Sequence, residues 1–159
     1  MKYFAHSENT QNEKHALAKH LHQTAKLAES FACREDYKPI FNVTGLLHDL
    51  GKYQLEFQNY LDNGGKRGSV PHASWGAGYA RLCKILEASI AIDGHHKGLP
   101  DRAAWKSDTE PFIRGEVTGF ENIVKTFVID SAANEADIKM PDSLRFADSS
   151  HREVFIRYG

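Results

Sequence analysis

The stretch LLHDLGK, residues 46–52, constrains this chain most, because it places a histidine and an aspartate inside an apolar run. An ionised carboxylate among buried leucines is strongly unfavourable unless a cation or several hydrogen bonds compensate its charge. The neighbouring imidazole, together with the carboxylate, suits borderline first-row cations. The sequence therefore predicts that other parts of the chain supply partners for His48 and Asp49.

Hydrophobic periodicity predicts an all-α fold, and no alternating strand pattern competes with it. In the first predicted helix, residues 14–32, His20 lies on the apolar face, whereas His15 and His22 lie opposite. That apolar face is completed by Leu17, Leu21, Thr24, Ala28 and Phe31. Further helices are predicted over residues 39–50, 53–62, 72–92, 120–136 and 151–158. Segments 63–71 and 93–105 are typical of loops because they are rich in glycine and polar residues.

Histidines from several of these segments are candidates to complete the site. The candidate metal ligands are His20, His48, Asp49, His72, His95 and His96. Five imidazoles and one carboxylate exceed the needs of one tetrahedral zinc ion, so we expect one or two divalent transition metals among Mn, Fe, Co, Ni and Zn. With two metals, the Asp49 carboxylate would bridge them, and Lys52, one turn on, would neutralise a substrate phosphate oxygen.

Each candidate also has an ordinary structural interpretation. His20 alone fits a hydrogen-bonded core histidine, and His72 fits a helix cap. His95 and His96 fit a solvated turn, and Asp49 fits a carboxylate bonded to a backbone amide. These interpretations are reasonable one at a time. The occurrence of all these features in one small chain favours a metal site.

Composition limits the class of protein. The 159 residues, 41% hydrophobic and 26% charged, are predicted to form one globular domain, residues 1–159. The sequence shows neither a long apolar run nor a secretory signal, and Cys33 and Cys83 lack metal-site spacing. We therefore expect reduced thiols and a cytoplasmic location.

The net charge of −1 argues against a strongly basic nucleic-acid binder, although the middle of the chain, residues 51–106, is mildly basic and the tail, residues 107–159, is acidic. This asymmetry favours an anionic ligand near the middle. The candidate substrate-binding residues are Lys66, Arg67, Lys97 and Arg102. Trp75 and Trp105 are candidates for base stacking, but tryptophans at such positions more often belong to the core.

Several stretches together resemble the HD nuclease domain of the CRISPR-associated helicase-nuclease of type I systems, within the HD phosphohydrolase superfamily. The similar stretches are YFAHS, LAKHLHQTAKLAESFA, GLLHDLGKYQLEFQNYL, PHASWGAGYA and IDGHHKGLPD. The resemblance implies an HD-domain helical bundle and the same six metal ligands, with His48, Asp49 and Lys52 as catalytic residues. It also implies metal-dependent cleavage of single-stranded DNA. The partners it implies are a helicase domain or subunit and a crRNA-guided surveillance complex.

The end of the chain departs from that family. There, a stretch like REVFIRY leads into a helix with a further metal-binding aspartate, whereas this sequence ends at Gly159. We therefore expect a bundle cut short before its last metal-site helix, with one metal weakly held or absent. The alternative is that Gly159 is a natural helix end.

Two other functions stay open. One is an HD phosphohydrolase that acts on a small nucleotide, which would need an enclosed pocket with base contacts rather than an open groove. The other is a helical docking module with a vestigial metal site, which would bind no divalent metal.

Overall fold

A computed structural model describes residues 1–7, 13–142 and 144, and every regular element among them is a helix. The α-helices are α1 (Leu17–Ser30), α2 (Lys38–Leu47), α3 (Leu55–Asn63), α4 (Ala73–Leu82), α5 (Leu86–Gly94), α6 (Arg102–Ile113) and α7 (Phe120–Ser131). Short 3-10 helices cover Glu35–Tyr37, Leu50–Tyr53 and Glu135–Asp137. The all-α prediction is confirmed. The helix predicted over residues 151–158 lies outside the described residues.

The ends of α2 and α3 follow from local sequence. Pro39 lies in the first turn of α2, where its missing N–H costs nothing. Helix α3 ends at Gly64, whose φ of 74° is costly for a residue with a Cβ. The predicted helices, residues 39–50 and 53–62, lie within a few residues of these observed bounds. The prediction of one helix before and one helix after the His48–Asp49 pair is therefore confirmed.

Two predictions in the middle of the chain are wrong. Residues 72–92 do not form one helix, because the chain turns between α4 and α5, where Lys84 takes a left-handed φ of 62°. The predicted loop over residues 93–105 ends earlier, since α6 begins at Arg102. The Asp101 carboxylate caps α6 by accepting a hydrogen bond from the Ala104 N–H at 2.8 Å.

Two smaller corrections concern helix faces and ends. On α1 the buried side chains are Leu17, Leu21 and Ala25, whereas Phe31, predicted to face inward, is 71% exposed. Helix α7 ends at Ser131 rather than at residue 136, because the following Ala132 has a left-handed φ of 51°.

The core brings the ends of several helices together. Helix α1 packs against α2 and α7, α2 packs against α5, and α4 packs against α5 and α6. The largest fully buried apolar side chains are Tyr53, Phe127, Leu17, Leu21, Leu47, Leu50, Ile85 and Ile92. This packing sets His20 of α1 beside the end of α2. Across the described residues, no helix combines the length and apolar character needed to cross a bilayer.

Candidate metal centre

The His48–Asp49 pair lies where α2 stops. His48 is the C-terminal cap of α2, and Asp49 leads into the 3-10 helix Leu50–Tyr53. Leu47 and Leu50 on either side are fully buried and anchor this turn in the core, and Asp49 is only 2% exposed. The apolar run therefore holds a carboxylate below the surface at a fixed position.

One group of ligands forms between α1 and the end of α2. The His20 Nε2 atom lies 3.0 Å from Asp49 Oδ2 and 3.2 Å from His48 Nε2. The His48 Nε2 atom lies 3.0 Å from the same carboxylate oxygen. Three donor atoms, two imidazole nitrogens and one carboxylate oxygen, thus converge on one side of Asp49.

A second group approaches the other carboxylate oxygen. The Nε2 atoms of His72 and His95 lie 3.3 and 3.6 Å from Asp49 Oδ1. The His96 Nε2 atom lies 2.8 Å from His72 Nε2. His72 is the N-terminal cap residue of α4 but makes no capping hydrogen bond, so its ring serves this cluster instead.

Gly51 allows His72 to come this close. A Cβ at position 51 would lie 2.3 Å from the His72 carbonyl oxygen, well inside contact distance. Gly51, inside the 3-10 helix, therefore lets the backbone before α4 lie directly against the turn that carries Asp49.

The rings are oriented from behind by backbone carbonyls. His48 Nδ1 lies 2.7 Å from the Gly45 carbonyl oxygen, and His95 Nδ1 lies 2.6 Å from that of Ile92. An Nδ1–H that donates to a carbonyl leaves the lone pair on Nε2, which here points into the cluster. This arrangement is typical of histidines that ligate metal ions.

The charge of Asp49 is strongly stabilised. Burial raises the pKa of its carboxyl, but the nitrogens around it lower the pKa further, so the net pKa is far below its ordinary value. The surrounding rings are those of His20, His48, His72 and His95. Burial, with help from His95 and His72, lowers the pKa of His96 to about 4, so this ring is neutral at pH 7.

A divalent cation fits this donor set. Among the described residues, Asp49 Oδ1 is buried without a hydrogen bond of good geometry, so a cation held by the surrounding nitrogens would satisfy it. The two groups of possible ligands are His20, His48 and Asp49, and Asp49, His72, His95 and His96; within each group the ligand atoms lie within 4.8 Å of one another. Asp49 belongs to both, so the cluster accommodates one cation or two that share this carboxylate.

Lys52 is part of the same cluster. Its side chain is buried, its Nζ lies 2.8 Å from Asp49 Oδ2, and it donates a hydrogen bond to the Ala5 carbonyl oxygen at 3.1 Å. The ammonium thus lies at the edge of the cluster. Its role toward a phosphate stays a prediction.

The four predicted substrate-binding cations lie in different surroundings. Arg67 lines both of the cavities that flank His72 and His96. Lys97 forms ion pairs with Asp93 and Asp108, so these carboxylates largely neutralise its charge. Lys66 and Arg102 are exposed and line neither of these two cavities. Their contact with a substrate stays a prediction.

The two tryptophans differ in burial. Trp105 is buried, and its indole N–H donates to Ser89 Oγ at 2.8 Å. Trp75 packs against Phe112 and Phe120. Trp105 is therefore a core residue that cannot stack on a base, whereas Trp75 is partly buried and packs against the core.

His6 is a neighbour of the cluster that the sequence analysis did not select. Its ring meets that of His20 edge-on, with centroids 5.3 Å apart, and burial together with Lys52 lowers its pKa. The stretch YFAHS was noted only as a similar segment. The position of His6 beside the cluster depends on tertiary contacts, because Lys52 and the His15 carbonyl hold the backbone of the preceding residue, Ala5.

The helical fold and the histidine–aspartate cluster together define a metal-binding helical domain. The model of the HD domain family matches residues 17–125. The chain therefore belongs to the HD domain family, whose members are typically metal-dependent hydrolases. The matched region contains all six candidate metal ligands and Lys52, and His6 lies before it. No curated protein matches the chain.

Proposed function

We propose that this chain is a metal-dependent nuclease domain that cleaves single-stranded DNA during type I CRISPR interference. A helicase, as a domain or a separate subunit, would supply the strand displaced by a crRNA-guided complex. Metal-dependent hydrolysis is supported by the buried Asp49 carboxylate, whose two oxygens face two groups of imidazole nitrogens. The CRISPR assignment is supported by the similar sequence stretches.

The shape around the cluster favours a strand over a small enclosed substrate. Two surface cavities share His72, His96 and Arg67 as a common wall. A substrate that occupies both cavities would pass directly over these side chains. A nucleic acid strand extends in two directions from its scissile phosphate, whereas a free nucleotide extends in one.

In the proposed reaction, one or two divalent cations would be held by Asp49 together with five histidines. These are His20, His48, His72, His95 and His96. Such cations polarise a phosphodiester and lower the pKa of water. The carbonyls behind the rings keep the Nε2 lone pairs directed inward, so the site is preorganised. Lys52, fixed by Asp49 and the Ala5 carbonyl, supplies a positive charge beside the phosphate as negative charge develops.

Metal content combined with cleavage tests this proposal. The protein is purified without chelators, its metals are measured by elemental analysis, and cleavage of single-stranded DNA is followed with added Mn²⁺ or Ni²⁺. We expect bound divalent metal and cleavage by the wild type, and loss of both in Asp49→Ala. Asp62→Ala is the matched control, because Asp62 is an exposed aspartate paired with Lys14 at the surface.

The alternatives give different results in the same experiment. If the protein hydrolyses mononucleotides but does not cleave oligonucleotides, the nucleotide phosphohydrolase is favoured. Absence of divalent metal from the wild type would favour the docking module. Equal cleavage by the wild type and Asp49→Ala would contradict any role of this cluster. The CRISPR context is tested by cleavage of the displaced strand in a guide-bound target when a helicase is added.

A further inference from the structure

One cavity beside the cluster has a composition that the proposed chemistry does not use. It lies between the N-terminal segment and the glycine-rich loop after α3. On the side of the cluster it is lined by Lys52 and His72, and farther out by His6, Ser7, Tyr60 and Arg67. Basic, aromatic and hydroxyl groups are thus gathered next to the place of the scissile phosphate.

The floor of this cavity is aromatic. Phe57 is buried, with the His72 ring edge-on at 5.1 Å and Lys52 Nζ 5.4 Å from its centroid. Tyr60 follows one turn later, its centroid 5.9 Å from that of Phe57, and it is only half-buried. Phe57 therefore connects the cluster to a second ring that is accessible from the cavity.

Gly65 keeps the Tyr60 ring from being covered. A Cβ at position 65 would lie 3.1 Å from Tyr60 Cδ2, so any side chain there would crowd the edge of the ring. The φ of Gly65, 154°, is also one that other residues rarely adopt. The loop passes the tyrosine closely with backbone alone.

The opposite wall is held rigidly. The Gln58 side chain accepts a hydrogen bond from the Phe4 N–H and donates one to the Phe4 carbonyl oxygen, both at 3.0 Å. Lys52 donates to the next carbonyl, that of Ala5. His6 and Ser7 follow these held residues and line the cavity.

The second cavity beside the cluster differs in charge. Its lining includes the carboxylates of Asp93 and Asp108, which share one cation, Lys97. Among the described residues that line it, the shared histidines are the only ones with an aromatic ring. Arg67 lines both cavities, so they differ in these two carboxylates and in the aromatic rings, which makes the aromatic cavity the better nucleoside site.

We propose that the cavity between His6–Ser7 and the glycine-rich loop binds a nucleobase next to the phosphate at the cluster. The base stacks on Tyr60, and Arg67 contacts the following phosphate. This inference rests on the proposed function, since it places one nucleotide of the substrate strand. Base stacking on an aromatic side chain is sequence-tolerant, as a nuclease for displaced strands requires.

The test compares four proteins on two substrates with Mn²⁺ present. The proteins are the wild type, Tyr60→Leu, Tyr60→Phe and the control Phe31→Leu, an exposed aromatic at the far end of α1. The substrates are a short oligothymidylate and a set of the same oligonucleotides with one abasic residue at each position in turn. Cleavage rates give kcat and KM for each pair.

We expect Tyr60→Leu to raise KM for the oligothymidylate by about 5- to 100-fold with little change in kcat, as loss of one stacked base implies. Tyr60→Phe, which keeps an aromatic ring, should raise KM much less than Tyr60→Leu does, and Phe31→Leu should behave like the wild type. One abasic position should raise the wild-type KM by a similar factor and remove the difference between wild type and Tyr60→Leu. The abasic series on the wild type alone still decides the question if Tyr60→Leu does not fold.

Other outcomes are equally decisive. Equal KM for wild type and Tyr60→Leu, or no effect of any abasic position, would overturn the nucleobase site and leave the nuclease proposal standing. Thymidine monophosphate is tested as a further substrate. If the protein hydrolyses it but leaves oligonucleotides intact, and if Tyr60→Leu weakens this hydrolysis, the base site is supported and the strand is overturned as substrate. A wild type that processes neither substrate overturns both proposals.

Discussion

Asp49 and Asp93 are buried to nearly the same extent, 2% and 1% exposed, yet their surroundings act on them in opposite directions. Nitrogens from several elements surround Asp49, and its pKa lies far below the ordinary value. Asp93 has Lys97 Nζ at 3.3 Å and shares it with Asp108; burial raises its pKa, and the lysine only partly offsets this.

The difference shows what makes a buried carboxylate a candidate ligand. Burial is common to both residues, and each has an oxygen without a hydrogen bond of good geometry. Only Asp49 faces imidazole nitrogens whose protonated sides are turned away toward backbone carbonyls. The donor set, rather than the depth of burial, therefore identifies the metal centre.

The largest expected effect separates these two aspartates directly. Asp49→Asn keeps the size of the side chain but removes the negative charge and one ligand oxygen. We expect bound metal to be lost and hydrolysis to fall by at least about 100-fold, beyond the range typical of outer-shell changes. Asp93→Asn should keep its metal. Elemental analysis and cleavage rates measure both, and metal loss in Asp93→Asn alone would reverse the comparison.

The next effect concerns the two lysines that pair with these carboxylates. Lys52→Met removes the ammonium at the edge of the cluster, so we expect hydrolysis to fall by about 10- to 100-fold while metal stays bound. Lys97→Met should change hydrolysis far less, since its ammonium is held by Asp93 and Asp108. If both substitutions reduce the rate equally, Lys52 has no special part in the reaction.

A smaller effect is expected from Gly51→Ala, which presses on the backbone of His72. Overpacking of this kind costs about 1–3 kcal/mol of folding free energy and should also weaken metal binding, because His72 is displaced. Gly115→Ala is the control: its φ of 70° is strained for alanine, but nothing lies within 4 Å of the new methyl group. Urea unfolding and metal titration of both variants separate packing at the cluster from backbone strain.

Much of this site could be predicted from the sequence, because its elements carry local signals. The start of α2 follows from Pro39, and the inward direction of His20 follows from helical periodicity. The convergence of His72, His95 and His96 on Asp49 depends on tertiary packing. It was expected from the combination of residues and from family resemblance, not from spacing.

The errors have physical causes of their own. Nothing in the segment Cys83–Ile85 is a glycine or proline, so the turn at Lys84 left no mark in the pattern. Helix α6 does bury Trp105, Thr109 and Phe112 at helical spacing, but Pro111 and many charged residues obscured the period. The burial of Asp93 was missed because residues 93–105 were predicted as a loop, whereas α5 continues through Asp93 to Gly94.

The smallest expected effect is a pH dependence of stability that belongs to Asp93. Its folded pKa is raised above the unfolded value of about 3.9, so between these values the folded state binds more protons than the unfolded state. Its contribution therefore makes the protein more stable as pH falls through this window, by at most about 1.4 kcal/mol per pH unit. In Asp93→Asn this contribution disappears, so the difference in unfolding free energy between wild type and variant should change with pH. Urea unfolding of both proteins from neutral to mildly acidic pH measures it. A constant difference would mean that Asp93 is as well compensated as Asp49, and the contrast between the two carboxylates would fail.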